Sequence, residues 1–148
     1  MIIQFIVCFF ATLSFAVLFS APKRQLLYCG LTGAMGWIVY LIIMEKNGGI
    51  ALANVCASFT LTLMARIFAA IQKHPVTVYL LAGIFPLVPG AGIYYTSYYF
   101  IMHEMENCTR YGSETLITAG SIVFGIVFGS AIPQRLFHAI SHIAKSNA

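Results

Sequence analysis

A long apolar stretch, residues 76–101, is interrupted in its middle by the sequence Pro86-Leu-Val-Pro89-Gly90. A helix that crosses a membrane satisfies its own backbone hydrogen bonds, and each proline removes a donor and frees a carbonyl on the preceding turn. In a bilayer, irregular backbone is tolerated only where protein buries it or water reaches it. Broken helices near the membrane midplane hold the substrate in many transporters, so the break is the first candidate functional site.

The composition places the chain in a membrane. It has 148 residues, of which 60% are hydrophobic and only 8% are charged, whereas soluble domains carry about 25% charged residues. Too little charge remains to cover a surface that faces water. We therefore expect an integral membrane protein that lies in the lipid bilayer, with residues 1–148 as a single transmembrane domain.

The apolar segments predict an all-α integral membrane protein, a bundle of about five transmembrane helices of roughly 20 residues each, the fourth being broken at the Pro-Leu-Val-Pro-Gly motif. We expect residues 103–115 to form an outer loop. Ser113, near the end of this loop, is the predicted N-cap of the fifth helix. Residues 133–148 are predicted to form a short amphipathic tail. The five predicted segments are Ile2–Ala21, Leu26–Met44, Ile50–Ile71, Val76–Ile101 and Leu116–Ile132.

The distribution of lysine and arginine predicts the orientation of the bundle. Cytoplasmic loops carry an excess of these residues. With the N-terminus outside and the C-terminus in the cytoplasm, the inner segments hold Lys23, Arg24, Lys73, Arg135 and Lys145, and the outer ones hold Lys46 and Arg110. The basic residues thus sit in short connections that set topology, and no run of them indicates nucleic-acid binding.

Residues that follow the break are candidates for the substrate pathway. Two prolines, Pro86 and Pro89, precede Gly90 and Gly92, and glycine permits close approach and unusual backbone angles. A helix that restarts near Gly90 would direct free N–H groups and its positive dipole end into the membrane, which suits a carboxylate. Tyr94 follows and can line the pathway or pack. The alternative is a simple proline kink packed by neighbouring helices.

The third predicted helix carries a polar stripe. Asn54, Ser58, Thr62 and Arg66 recur every fourth residue and share one face of the helix. Such a face is expected to look inward or onto a path filled with water, because an intramembrane cation is expensive. The alternative is that the polar side chains hold helices together and that Arg66 reaches toward the inner surface.

Small residues predict surfaces where helices approach closely. Ser121, Gly125 and Gly129 repeat every four residues on the fifth helix, and Gly30 and Gly33 lie on the second. Transmembrane helices pack through such residues. Whether the partner is another helix of this chain or another subunit stays open at this point.

Residues that would indicate an enzyme or a metal site are missing from the sequence. There is no HExxH, GxSxG or Walker A motif, and no CxxC pair. His138 and His142 have a spacing compatible with a metal, but a third ligand is not nearby. We therefore expect no catalytic residues, no metal and no cofactor. None of the glutamates lies in the middle of a predicted span, so a proton relay must come from elsewhere.

The motifs around the break resemble those of the threonine/serine exporter (ThrE) family. The segment Phe85-Pro-Leu-Val-Pro-Gly-Ala-Gly-Ile-Tyr94 follows His74-Pro-Val, with Ala21-Pro-Lys-Arg after the first helix and Tyr111-Gly-Ser-Glu-Thr before the fifth. The resemblance covers about residues 20–133. More narrowly, the chain is similar to the small subunit of the split form of this family.

The resemblance implies export of threonine and serine, or of a small dicarboxylate such as succinate, across a bacterial inner membrane. It also implies a larger, YjjP-like partner subunit, and we expect the proton gradient to drive export. No internal repeat is visible, although many transporters consist of two repeats, so another chain is expected to supply one half. The alternative is a membrane subunit that assembles or stabilises the complex without transporting.

Overall fold

The computed structural model describes residues 2–133, which fold entirely into helices and turns. Two single turns of 3-10 helix, Lys23–Gln25 and Phe85–Leu87, supplement the α-helices. The prediction of an all-α membrane bundle is confirmed, whereas the predicted amphipathic tail lies almost wholly outside the described residues. The helices are α1 (Ile2–Leu18), α2 (Leu26–Glu45), α3 (Ile50–Gln72), α4 (Val76–Ile84), α5 (Gly90–Ile101) and α6 (Met105–Ala131).

Three of the described helical segments are long and apolar enough to cross a membrane: Lys23–Glu45, Ile50–Gln72 and Met105–Ala131. The bent pair α4–α5 makes a fourth crossing when it counts as one span. The fifth predicted crossing is α1, an apolar helix of 17 residues. At 1.5 Å per residue it is about 25 Å long, slightly less than the ~30 Å thickness of the hydrocarbon layer.

Consecutive helices are joined by tight turns that reverse the chain. Ser20, Asn47, Lys73 and His103 each adopt the left-handed conformation just beyond a helix, with φ between 55° and 58°. After α2, the Gly48 N–H donates to the Ile43 carbonyl and the Asn47 N–H to the Met44 carbonyl. This pattern ends a helix while pairing its last carbonyls, so the short connections need no other partner.

The helix α3 lies at the centre of the bundle and packs against α2, α4 and α6, while α1 lies against α2 and α4. Its buried positions are mostly small residues, among them Ala53, Ala57, Ala65 and Ala69. Small side chains let helix backbones approach closely, and this packing replaces the hydrophobic effect inside a bilayer. By contrast, α5 packs chiefly on α6 and has no buried residue.

The start of the last helix differs from the prediction. It begins at Met105 rather than Leu116, so the predicted outer loop is largely helical. Ser113 is therefore not an N-cap but lies within α6, where its hydroxyl donates to the Arg110 carbonyl. The Arg110 and Glu114 side chains pair at 3.6 Å on the exposed surface of this segment. Hydropathy alone detected only the apolar part of a helix about 40 Å long.

Candidate functional site

The predicted break in the fourth span is present and has a defined geometry. After the 3-10 turn, Val88 is extended, and α5 starts at Gly90 with its axis bent by 53° from the preceding helical segment. Pro89 has φ −78° and ψ 58°, and across it the Gly90 N–H donates to the Val88 carbonyl at 2.8 Å. These values define an inverse γ-turn, which ends one helix segment and redirects the next.

The break lies at the depth of the middle third of α3. A Cβ atom added at Gly83, near the end of α4, would lie 3.4 Å from Leu61, which is the twelfth of the 23 residues of α3. One turn further on, Leu87 belongs to a buried cluster with Ala57, Leu61 and Ile122. The irregular backbone therefore lies well inside the span, as the sequence predicted from the position of Pro86.

The restart of the helix leaves backbone donors available. The Ile93 N–H donates to the Pro89 carbonyl at 3.1 Å and makes the first helical bond of α5. The amides of Ala91 and Gly92 lie in the first turn, where a helix offers no acceptor of its own. The positive end of the α5 dipole adds to these donors. The arrangement suits an anionic group such as a carboxylate.

Gly90 and Gly92 have different surroundings. A Cβ atom at Gly90 would meet nothing within 4 Å, so one side of the break is open. A Cβ atom at Gly92 would collide with the Thr115 hydroxyl, because α5 packs on α6 there. Gly92 therefore lies where α5 and α6 pack together. Its role in a substrate pathway stays a prediction. Tyr94, one turn after Gly90, is 63% exposed and stacks on Tyr98 with ring centroids 6.3 Å apart.

The other side of the break borders a cavity of about 300 Å³ between α1, α2 and Pro86. Its lining is apolar apart from the Gln4 amide and the Cys8 thiol. A cavity of this character does not suit a free carboxylate, since burying a charge without a partner is costly. The lining residues are Ile3, Gln4, Val7, Cys8, Ala11, Trp37 and Pro86.

Three members of the polar stripe of α3, namely Ser58, Thr62 and Arg66, lie at the interface with α6. The Ser58 hydroxyl donates to the Asn54 carbonyl at 2.7 Å, and the Thr62 hydroxyl donates to the Ser58 carbonyl at 2.7 Å. The Asn54 amide bonds in the same way to the carbonyl four residues earlier. A Cβ atom at Gly125 would collide with Ser58, and one at Gly129 would lie 2.8 Å from Thr62. Ser58 and Thr62 are therefore buried against α6. The role of the polar stripe in a substrate pathway stays a prediction.

The last member of the stripe, Arg66, binds the end of α6. Its Nη1 atom donates to the Gly129 carbonyl at 2.9 Å and to the Ser130 carbonyl at 2.7 Å. These carbonyls belong to the last turn of α6, which lacks intrahelical donors and carries the negative end of the helix dipole. Arg66 lies nine residues beyond Ala57, about 13 Å along α3. The structure therefore does not bring Arg66 to the break.

The other predicted packing residues meet helices of the same chain. A Cβ atom at Gly30 would lie 2.7 Å from the Phe9 ring, and one at Gly33 would collide with Thr12. These glycines thus let α1 and α2 approach. Ser121 is buried, and its hydroxyl donates to the Ile117 carbonyl within α6. The face of α6 that carries Gly125 and Gly129 packs against α3. The partner of this face, which the sequence did not identify, is therefore a helix of the same chain.

One buried polar pair was not found from the sequence. The Tyr79 hydroxyl lies 2.7 Å from Gln25 Oε1, and both side chains are buried. The bond ties α4 to the 3-10 turn that precedes α2. Nothing in the spacing of these residues, 54 positions apart, indicates that they meet. The contact depends on how the helices are arranged.

Comparison with known proteins shows that the chain is similar in sequence to a family of exporters. The model of the family described as "Threonine/Serine exporter, ThrE" matches residues 4–132. A threonine/serine exporter from Corynebacterium glutamicum is 31% identical over 126 residues, which is 83% of this chain and 25% of that protein. An uncharacterized protein from Haemophilus influenzae is 27% identical over 134 residues, covering 84% of this chain and 43% of that protein.

Each alignment covers most of this chain but less than half of the relative. The chain spans a quarter of the length of the Corynebacterium relative and less than half of the Haemophilus one. Most of the Corynebacterium protein therefore has no counterpart in the sequence described. No solved structure matches this chain.

Proposed function

The chain belongs to the threonine/serine exporter family, and we propose that it is one subunit of a two-component exporter of small amino acids or carboxylates. The observation that carries the proposal is the broken span, which supplies free amide donors within the middle third of the bundle. Broken helices serve transporters in this way because their termini bind the charged groups of a substrate. The chain would lie in a bacterial inner membrane with its N-terminus outside.

The first turn of α5 is the proposed contact for the substrate carboxylate. Threonine, serine and succinate-type dicarboxylates share this group, so one set of donors at Ala91 and Gly92 serves all of them. The open position beside Gly90 leaves room for the substrate. The exposed ring of Tyr94 lies one turn further and can attract an ammonium group through its face.

The polar stripe would take part when α6 moves relative to α3. Each stripe hydroxyl bonds to a carbonyl of its own helix, so separating the helices leaves these hydroxyls satisfied. Such a face can be exposed to a water-filled path without the penalty of unpaired polar groups. In this account Arg66 is a positioning residue that holds the end of α6, rather than a substrate ligand.

Coupling to the proton gradient is assigned to the partner subunit. The chain has four acidic residues, and all lie at or beyond helix ends or on the polar first half of α6. A carrier driven by protons normally keeps a carboxylate or histidine in its pathway. A larger subunit would supply this group, in keeping with the relatives of much greater length.

The second candidate function is assembly without transport. It is favoured by the packing found for Ser58, Thr62 and Arg66, all of which stabilise the contact between α3 and α6. In that case the break would serve only to redirect α5. The two functions differ in whether substitutions at the open side of the break change export while the complex stays intact.

Efflux measurements would separate the two functions. The chain is expressed with the larger subunit in cells lacking their own exporters, and efflux is measured over a panel of amino acids and dicarboxylates. We expect efflux of at least one carboxylate only when both subunits are present, and its loss on substitution Gly90→Leu in an assembled complex. Unchanged efflux by that variant would support the assembly function. Absence of efflux for the whole panel would contradict export.

A further inference from the structure

The open side of the break is irregular backbone that this chain leaves uncovered. Val88 is 42% exposed, and no atom lies within 4 Å of a Cβ at Gly90. Val88 directly follows Leu87, which packs with Ala57 inside the span, and Gly90 is three residues from Leu87. Lipid offers no hydrogen-bond partner for irregular backbone, which is tolerated only against protein or in a water-filled cavity. The bundle in isolation therefore does not meet this requirement.

The exposed backbone continues into an unpartnered helix face. Gly90, Tyr94, Ser97 and Ile101 are spaced by three or four residues and share one side of α5, which we term the α5 outer face. The opposite side, with Gly92, Thr96 and Tyr99, packs on α6. On the outer face Tyr94 is 63% and Ile101 is 73% exposed. The face carries no charge and is long enough for a helix of another protein to lie along it.

We propose that an apolar transmembrane helix of a different chain covers the α5 outer face, so that the substrate site at the break is walled by two chains. The inference deepens the proposed function and rests on it. A cavity filled with water at the break would need the same wall, because this chain leaves that side open. The site is therefore incomplete in either chain alone.

The comparisons favour additional family sequence over a second copy of this chain as the occupant. Relatives carry long additional sequence in the same polypeptide, since this chain corresponds to 25% of one and 43% of another. A segment of this additional kind, which the larger subunit of the proposed exporter would supply, is the occupant that we assign to the open side. The outer face of α6 differs, because it is regular helix with exposed apolar side chains that lipid can cover.

Photocrosslinking in intact cells tests the proposal. The photoreactive amino acid benzoylphenylalanine replaces Tyr94 in one variant and Ile101 in a second, in the full chain expressed with the larger subunit. The matched control places it at Phe124 on α6, which is 62% exposed against 63% for Tyr94. All three sites are at the surface, so the substitutions should not disturb folding. Adducts are identified by mass spectrometry.

We expect Tyr94 and Ile101 to give an adduct with a transmembrane segment of the larger subunit, in the part that corresponds to the sequence that the relatives carry outside the matched region. We expect Phe124 to give none. Lipid adducts at all three sites, an adduct between two copies of this chain or an adduct with a soluble protein would overturn the interface. Efflux is measured in parallel on cells that carry the unsubstituted chain and the larger subunit. Efflux without the adduct rejects the interface alone, and the adduct without efflux rejects the exporter function alone.

Discussion

The Nη1 atom of Arg66 lies 2.9 Å from the carbonyl oxygen of Gly129, at the end of the neighbouring helix. One cation near the C-terminal end of α3 thereby satisfies carbonyls that α6 leaves without donors. The contact explains how a charged residue is accommodated with only 8% of its surface exposed. It assigns Arg66 to the architecture of the bundle, at a distance from the break.

Replacing Arg66 should therefore lower stability more than it changes substrate recognition. Arg66→Gln removes the charge at the α6 terminus, and hydrogen bonds to charged groups contribute about 1.5–3 kcal/mol. Arg66→Lys keeps the charge but not the planar set of donors, so we expect a smaller loss. Thermal unfolding in detergent measures both. A normal unfolding temperature combined with lost efflux would instead indicate a substrate ligand.

The interface between α3 and α6 depends on Gly125. A methyl group there would collide with the Ser58 side chain and the Val55 carbonyl oxygen, which belongs to the backbone and cannot rotate away. We expect Gly125→Ala to destabilise the chain by about 1–3 kcal/mol through overpacking.

Gly120→Ala is the matched control for Gly125→Ala, because it lies on the same helix and its methyl group would meet nothing within 4 Å. Alanine favours a helix over glycine by about 1 kcal/mol, so this control should be neutral or stabilising. Equal unfolding temperatures for the two variants would contradict the packing described.

The contact between α5 and α6 can be tested by a compensating pair. Gly92→Ala should loosen this hairpin, because its methyl group would meet the Thr115 hydroxyl. Adding Thr115→Ala removes the obstructing atom and should restore proteolytic resistance. Gly90→Ala alone should leave resistance unchanged. A double variant no more resistant than Gly92→Ala would show that the two residues do not pack against each other.

The elements that the sequence predicted best are those that depend on local chemistry. The starts of α2, α3 and α4 were predicted correctly at Leu26, Ile50 and Val76, since proline, glycine and charged residues mark the short turns before them. The prolines likewise located the break. The start of α6 was missed because its first turns are polar and protrude beyond the apolar segment.

The partners of the candidate residues could not be predicted, because they depend on which helices meet. The four-residue spacing placed Asn54, Ser58, Thr62 and Arg66 on one face of the helix. It did not indicate that Ser58, Thr62 and Arg66 lie against α6. The bond from Arg66 to Gly129 joins residues 63 positions apart. The different surroundings of Gly90 and Gly92 likewise follow only from the position of α6.

The orientation predicted from lysine and arginine can be tested through Cys108. Cys8 and Cys29 are buried, and Cys56 and Cys108 are both half-buried. Cys56 lies within the apolar span α3, whereas Cys108 lies in the polar first turn of α6. With the N-terminus outside, an impermeant thiol reagent applied to intact cells should label the protein, and Cys108→Ser should abolish the signal. Labelling only in inverted vesicles would require the opposite orientation.

The measurement that tests the account most directly is efflux by the double variant Pro86→Ala/Pro89→Ala. Alanine restores two backbone donors, so the helix can continue through residues 86–90 and pair the amides that would otherwise bind the carboxylate. Pro75→Ala is the control, because this residue precedes α4 and leaves the break intact. We predict that the double variant inserts and assembles with the larger subunit but exports little or nothing. Export at the normal rate by an assembled double variant would contradict the account and reduce the break to a kink.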